Sequence, residues 1–333
     1  MRHPGDDIER LLVAPRVVLG TWPTPLEQLE HPGIGAVLVK RDDLAGFGGA
    51  ARSGVKARKL EGLLSHMVER RQRRLVMPLG NITNLGFDLV RAAQELDISV
   101  RLLIADEPPL PREQREVIFA SIRENVVLLG RSYAGAAARL ALAGTAGLWR
   151  RQVIAPPSPA HPAAIAGAAR GYIEAMEQAE ALTGALPSSV YVATAAGSTV
   201  AGFALGEVLM RAAGAPRVEV VAVPVVPQPV GWWVPALVAW TARYLKVAEP
   251  RPGIALSVAA EPRNAGYGRF DAGHVATCQA VEATHGFRID PIYGGKSWSV
   301  MEERETARRD EKRRPPLFWH CGYTPNWQDY APG

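Results

Sequence analysis

Short apolar runs alternate with amphipathic stretches along most of this chain, and the alternation limits the folds open to it. The apolar runs predict strands at residues 37–40, 75–78, 100–105, 126–129, 190–195, 218–225, 254–259 and 317–320. Helical spacing of apolar residues predicts helices at 59–71, 85–96, 112–125, 134–143, 163–183, 200–213, 234–248 and 273–285. Strands that alternate with helices form a mostly parallel sheet covered on both faces, so an α/β fold is predicted.

Length and composition describe a large globular chain. Its 333 residues, 47% of them hydrophobic and 21% charged, are enough to build two domains. The proline-rich stretch 155–162 has the composition of a boundary between two such units. The cysteines Cys278 and Cys321 provide no disulfide framework, which favours a reducing, cytoplasmic environment.

Charge and hydropathy argue against nucleic acid, membrane and metal partners. The net charge is +5, but the charged segment 304–314 mixes both signs, as a solvated helix does. The longest apolar run, residues 229–245, contains two prolines and Arg243, and the N-terminus lacks an apolar signal core. His274 and His285 do not have the spacing of a metal site.

A glycine-rich turn before Lys56 is the first candidate functional site. Four glycines in residues 45–54 allow the backbone to approach a ligand closely. Ser53 is placed to cap the helix that follows, and Lys56 is in its first turn, where the helix dipole favours a neutral amine. A neutral lysine can form a Schiff base with a carbonyl, although a solvated lysine near a helix start would show the same local pattern.

The segment 195–202 is the second candidate site. It follows an apolar strand, opens a helix and contains small residues with two adjacent hydroxyls, Ser198 and Thr199. Such a helix N-terminus can hold a phosphate, although a strand-to-helix turn without a ligand explains the segment equally well on its own. Together with a Schiff-base lysine, a phosphate cradle indicates pyridoxal phosphate as cofactor.

Eight short motifs follow one another over most of the chain. They are Thr24-Pro-Leu26, Lys40-Arg-Asp-Asp-Leu44, Lys56-Ala-Arg-Lys-Leu-Glu61, Thr83-Asn84, Ala196-Gly-Ser-Thr-Val-Ala-Gly202, Gly266-Tyr-Gly268, Asp290-Pro-Ile-Tyr-Gly-Gly-Lys296 and His320-Cys-Gly322. In this order they resemble the 1-aminocyclopropane-1-carboxylate deaminase and D-cysteine desulfhydrase family, which are fold type II pyridoxal phosphate enzymes. The resemblance implies two open twisted, mostly parallel sheets flanked by helices, with a small domain at 56–160 inserted into a large domain of 1–55 and 161–333. It also implies a homodimer and a small amino-acid substrate.

The resemblance further implies roles for individual residues. Lys56 matches the lysine that binds the cofactor and moves protons at the substrate. Tyr293 matches a tyrosine over the reacting atoms and Tyr267 a second one that supports it, although either could be a core aromatic with a satisfied hydroxyl. Thr83 stands where the family has a serine near the substrate carboxylate. The residues expected to bind the cofactor are Lys59, Ala196, Gly197, Ser198 and Thr199 at the phosphate, Asn84 at the ring hydroxyl, and Cys321, a weak donor, near the ring nitrogen.

Four departures from the family pattern bear on the reaction. Residues 53–55 read Ser-Gly-Val in place of Gly-Gly-Asn, and Ile82 replaces a glutamine. Gly294 replaces the glutamate of the deaminases or the threonine of the desulfhydrases, and Cys321 replaces a leucine or threonine. Without a carboxylate beside the ring nitrogen, the cofactor withdraws electrons less strongly, which favours prompt expulsion of a leaving group, as in β-elimination.

The sequence therefore predicts a pyridoxal phosphate-dependent lyase or deaminase that releases ammonia and a keto acid from a small amino acid. A racemase or a β-replacement enzyme of specialised metabolism is one alternative, because Lys56 and a hydroxyl on the opposite face of the cofactor could both exchange the α-proton. A non-catalytic protein that keeps the fold is another, since the ring-nitrogen partner and two polar site residues are missing.

A tryptophan-rich stretch at residues 225–240 is the last unusual feature. Its three tryptophans predict a dimer contact or core packing, or else a hydrophobic substrate or protein partner.

Overall fold

A computed structural model describes two sheets with helices packed against them. It covers residues 4–46, 54–79, 84–104, 120, 122–128, 152–156, 159–226, 229–247, 253–259, 268–308 and 314–322. The helices are α1 (Pro4–Leu12), α2 (Val55–Glu69), α3 (Asn84–Glu95), α4 (Pro162–Thr183), α5 (Ser198–Ala212), α6 (Val230–Leu245), α7 (Ala272–His285) and α8 (Gly294–Ala307). The strands are β1 (Leu26–His31), β2 (Gly35–Arg41), β3 (Arg74–Leu79), β4 (Ser99–Ile104), β5 (Val126–Leu128), β6 (Val153–Ile154), β7 (Ser189–Thr194), β8 (Glu219–Pro224), β9 (Leu256–Val258) and β10 (Leu317–His320).

The larger sheet has the strand order β1-β2-β10-β7-β8-β9. All its neighbours pair in parallel except β1 and β2, which form an antiparallel hairpin. β10, the last strand along the chain, lies between β2 and β7, so Leu317 pairs with both Leu38 and Val190. The central strands β7 and β10 are buried along their whole length, as expected for parallel strands covered on both faces.

The smaller sheet has the order β5-β4-β3-β6 and is parallel throughout. All four strands come from the part of the chain between β2 and β7. The predicted α/β class with two mostly parallel sheets is therefore confirmed. The limits of the two domains, 1–55 with 161–333 and 56–160, stay a prediction.

Helix α2 contacts both units and brings its first turn to the region between them. Leu60, Leu63 and Leu64 belong to the same buried core as the strands of the smaller sheet. The opposite side of α2 crosses α4 closely, because a Cβ atom added at Gly167 would lie 1.9 Å from the carbonyl oxygen of Arg58. The start of α2 is therefore held by rigid packing on two sides.

Several predicted elements differ from the structure or lie outside its described part. The helix predicted at 134–143 and most of the one at 112–125 fall outside it, although Arg123–Asn125 form a 3₁₀ turn. The helices α1 and α8 and the strands β1 and β6 were not predicted. β1 was missed because it is an edge strand with polar residues and only partial burial. Among the described residues, no helix is long and apolar enough to cross a membrane.

Candidate active site

The helix that carries Lys56 begins in contact with the end of β10. Gly54 precedes α2 with a φ of 49°, and a Cβ atom added there would lie 2.2 Å from the Cys321 carbonyl oxygen. The Val55 N–H donates a 2.9 Å hydrogen bond to the same oxygen. Only glycine permits this approach, so Gly54 flanks the helix, and it makes no side-chain cap. The N-cap position of α2 is Gly54, and Ser53, which was predicted to cap the helix, lies outside the described residues.

Lys56 and Lys59 lie about one turn apart on α2, and Lys59 reaches the start of α5. Lys59 is 5% exposed, and its Nζ donates a 3.2 Å hydrogen bond to Ser198 Oγ. Burial and, as a second cause, the Lys56 ammonium lower the pKa of Lys59 to about 7. Lys59 therefore connects α2 to the N-terminus of α5, and Lys56 lies about one turn before it on the same helix.

The turn between β7 and α5 has the geometry of an anion site. Thr194 Oγ1, at the end of β7, accepts a 3.2 Å hydrogen bond from the Gly197 N–H. Gly197 has a φ of 79°, which glycine adopts at no steric cost. Ser198 and Thr199 are buried in the first turn of α5, where N–H groups have no acceptor within the helix. With Lys59, the turn gathers the hydroxyl, amide and ammonium donors that suit a phosphate.

A buried ion network lies under the lysine-bearing turn of α2. Arg58 donates to the Asp42 carboxylate at 2.8 Å and to Glu174 at 2.8 and 2.9 Å. Lys40, fully buried, donates to Glu174 at 2.6 Å, and Trp319 Nε1 donates to Asp42 at 3.0 Å. Burial alone would raise the pKa of Asp42, but the Arg58 guanidinium, Lys40 and the Thr24 hydroxyl together outweigh burial and lower that pKa. The network therefore ties α2 to β2, α4 and β10 through charged groups.

Asp290 holds the turn that leads into α8. Its carboxylate accepts hydrogen bonds from the N–H groups of Ile292 at 3.0 Å and Tyr293 at 2.8 Å. Gly294 follows, and a Cβ atom there would lie 2.7 Å from the Cβ of Ile289, closer than carbon atoms approach without a bond. A glutamate or threonine therefore fits at this position only if Ile289 moves.

Cys321, at the end of β10, lies within electrostatic range of the lysines and of two carboxylates. Burial and then the Asp42 carboxylate raise the pKa of the Cys321 thiol to about 12, while Lys59, Asp290 and Lys56 have smaller effects. The thiol is therefore neutral at pH 7. A neutral thiol is a weak hydrogen-bond donor, and because it is uncharged it cannot form an ion pair with a cation.

Some of the predicted site residues lie in the described part of the chain, and others lie outside it. Thr83 and Tyr267 lie outside the described residues, as does the side chain of Asn84, whose backbone begins α3. Sequence reasoning missed the pairing of Asp42 with Arg58, although both stand within quoted motifs, because nothing local shows that they meet. The predicted residues that the structure gathers around the starts of α2 and α5 are Lys56, Lys59, Ala196, Gly197, Ser198, Thr199 and Cys321.

Comparison with known proteins identifies the family. The family model described as pyridoxal-phosphate dependent enzyme matches residues 17–322. A protein of Pyrococcus horikoshii provisionally named 1-aminocyclopropane-1-carboxylate deaminase is 27% identical over 321 residues, which are 92% of this chain and 91% of the relative. A D-cysteine desulfhydrase of Klebsiella pneumoniae is 30% identical over 167 residues, which are 49% of each chain.

Solved structures show the same fold. The crystal structure of an ACC deaminase homologue matches with a TM-score of 0.76 and 23% identity, covering 95% of this chain and 94% of that one. At this identity the match supports the fold alone, and it agrees with the two-sheet architecture described above. Because the family model spans nearly the whole chain, the chain belongs to the pyridoxal-phosphate dependent enzyme family, and its cofactor is pyridoxal phosphate.

Proposed function

We propose that this chain is a lyase that acts on a small amino acid and releases ammonia and a keto acid, as a deaminase or desulfhydrase does. The observation that carries the proposal is the meeting of two helix starts. Lys56 lies in the first turn of α2, and Lys59, one turn later, donates to Ser198 in the first turn of α5. The names of the two relatives support the same reaction class.

The residues at this meeting point suit pyridoxal phosphate. Lys59, Ser198 and Thr199, with the first amides of α5, would hold the phosphate, and Lys56 would hold the aldehyde carbon. When bound, pyridoxal phosphate supplies an aldehyde that condenses with amines and a ring that withdraws electrons from the bond that breaks. The packing of α2 between the two units would keep Lys56 in place relative to the phosphate site.

The remaining roles concern the substrate and the ring. Lys56 would take and return the proton at the α-carbon, and Tyr293, at the start of α8, would act as acid, base or nucleophile with Tyr267 as support. Thr83 would bind the substrate carboxylate. Asn84 would bind the ring hydroxyl, and Cys321 would face the ring nitrogen.

Gly294 favours elimination of a leaving group over ring opening. It brings no side chain to the ring nitrogen, and the pKa of about 12 keeps the Cys321 thiol neutral. A ring nitrogen without an anionic partner stabilises a carbanion less. A substrate that carries a good leaving group on its β-carbon, as cysteine does, is therefore favoured over 1-aminocyclopropane-1-carboxylate.

The test is a titration of the purified protein with D-cysteine, L-cysteine and 1-aminocyclopropane-1-carboxylate. Cofactor absorbance, keto acid, ammonia and sulfide are followed together. A spectral shift with one amino acid, accompanied by keto acid and ammonia, supports the proposal and names the substrate. Exchange of the α-proton without keto acid would indicate a racemase, and a spectrum that none of the ligands changes would contradict the proposed substrates.

We also propose that the enzyme is a homodimer. Trp232 and Trp240 on α6 are 73% and 42% exposed, which is unusual for such large apolar side chains. A contact between two copies would cover them. Light scattering should give twice the chain mass of 35.9 kDa, and Trp232→Arg should shift the mass towards that of one chain.

A further inference from the structure

The first turn of α6 lies against the phosphate-site turn that precedes α5. Trp233 Nε1 donates a 3.2 Å hydrogen bond to the carbonyl oxygen of Ala196. A Cβ atom added at Gly197 would lie 3.5 Å from Trp233 Cδ1 and 3.0 Å from Val234 Cγ2. Val234 is fully buried, so the turn of α6 that carries Trp233 is anchored in the core. Trp233 therefore contacts the phosphate-site turn from a rigid support.

Two hydrogen bonds fix one peptide group of that turn. A trans peptide is planar, and its C=O and N–H point in opposite directions. In the peptide that joins Ala196 to Gly197, the oxygen accepts from Trp233 Nε1 at 3.2 Å, and the N–H donates to Thr194 Oγ1 at 3.2 Å. Held at both ends, this peptide cannot rotate without breaking one of the two bonds.

We propose that Trp233 is a positioning residue for the cofactor phosphate. By fixing the peptide between Ala196 and Gly197, its indole N–H sets the direction in which the following amides, those of Ser198 and Thr199, point. Amides that are already oriented bind an anion without the loss of entropy that ordering them would cost. This role rests on the proposed phosphate site. It gives Trp233 a function, whereas the proposed reaction uses no residue of the tryptophan-rich segment.

The test compares two ligands on the cofactor-free, full-length chain by calorimetry. They are 4-deoxypyridoxine 5'-phosphate and 4-deoxypyridoxine, which lack an aldehyde and so do not condense with Lys56. Trp233→Phe keeps an aromatic ring and removes the donor. It should weaken binding of the phosphate-bearing ligand about fivefold, the factor that one neutral hydrogen bond contributes, and leave the other ligand unchanged.

Trp232→Phe is the matched control, since it makes the same change one residue away on a side chain that is 73% exposed in the single chain, and phenylalanine keeps an aromatic ring at the proposed dimer contact. It should alter neither affinity. If Trp233→Phe leaves the phosphate-bearing ligand unaffected, or weakens both ligands equally, the positioning role is wrong. If the wild-type chain binds the two ligands equally well, the phosphate site itself is wrong, and the inference fails with it.

A double-mutant cycle with Thr194→Val tests whether both residues act on the same peptide. Thr194 is buried, and valine has nearly the same shape without the hydroxyl. Once one of the two hydrogen bonds to the peptide is lost, losing the second should weaken ligand binding less. The double variant should therefore bind the phosphate-bearing ligand better than the sum of the two single effects predicts. Additive effects would contradict the shared peptide. Equal midpoints of thermal unfolding in all variants would show that the fold is intact.

Discussion

The two ends of the site differ in how far they follow the resembled family. The proposed phosphate end consists of Lys59 and residues 196–199, and it keeps the pattern of the resembled family. The proposed ring end consists of Ile289, Asp290, Gly294 and Cys321, and it departs from that pattern at two positions. A chain that had lost its cofactor would have no reason to keep the phosphate end intact. The difference is what we expect of a chain that binds the family's cofactor but controls the proposed reaction differently.

Lys56 lies in the first turn of α2, about one turn before Lys59, and its removal should have the largest effect. Lys56→Ala should lower turnover by about a thousandfold or more, because it removes both the covalent attachment and the base. Borohydride reduction of the native enzyme, followed by peptide mapping, should place the cofactor on Lys56.

Lys59→Ala is the control, since it alters the phosphate end only. It should weaken cofactor binding, and saturating cofactor should restore most of the turnover. Full turnover by Lys56→Ala, or a label found on Lys59 in the native enzyme, would contradict the division of roles between the two lysines.

Asp42 supports both ends, because it bonds Arg58 on α2 and Trp319 on β10. Asp42→Asn should lower the free energy of unfolding by about 3 to 5 kcal/mol, since it neutralises one of the two carboxylates that the buried Arg58 contacts at 2.8 Å. Asp43→Asn changes the neighbouring carboxylate, which pairs with Arg41 where both side chains are 13% exposed, and should cost about 1 kcal/mol. Equal losses in denaturant unfolding would mean that the buried network has no special role.

Gly294→Glu restores the deaminase residue at the ring end. Because the new Cβ would lie 2.7 Å from the Ile289 Cβ, the variant should lose about 1 to 3 kcal/mol of stability. Ile289→Gly removes the Cβ that causes the clash, so the double variant should be more stable than the sum of the single losses by about 1 kcal/mol. Strict additivity in unfolding experiments would show that Ile289 does not exclude a side chain from this position.

Lys59 should make the phosphate end sensitive to pH. Its pKa is lowered to about 7 in the free site, so above pH 7 a bound phosphate must draw a proton back onto the amine. Affinity for 4-deoxypyridoxine 5'-phosphate should therefore fall by up to about tenfold per pH unit above 7. In Lys59→Arg the guanidinium stays charged, so the affinity should no longer depend on pH in this way. Calorimetry from pH 6 to 9 measures the affinity of both proteins. If affinity falls with pH equally steeply in the arginine variant, Lys59 is not the source of the dependence.

Local sequence patterns predicted the sheets well and some helix starts poorly. The strands β2, β3, β4, β7, β8 and β10 were found because buried parallel strands are continuous apolar runs. Helix α8 was missed because it starts with two glycines, and its entry turn is held by Asp290, four residues before Gly294. Because Asp290 lies before the helix, the residues at the start of α8 do not show the usual sequence pattern of a helix N-terminus.

The site was predictable where a motif is local and unpredictable where contacts span the chain. Lys56, Lys59 and residues 196–199 could be found because each belongs to a short segment with its own chemistry. The contacts of Asp42 could not, since Trp319 lies 277 positions further along the chain. The clash between Ile289 and any side chain at position 294 depends on packing between two turns, which no spacing rule describes.

The position of β10 between β2 and β7 has a consequence for the order in which the protein is made. During synthesis, β2 and the segment that carries Lys56 leave the ribosome first, and residues 317–320 leave only after more than 250 further residues. Until they do, the hairpin of β1 and β2 has no neighbour in its sheet, and Asp42 lacks its Trp319 partner. A nascent chain that stops before β10 should therefore fail to retain the cofactor, even though it already contains both lysines and the complete phosphate-site turn.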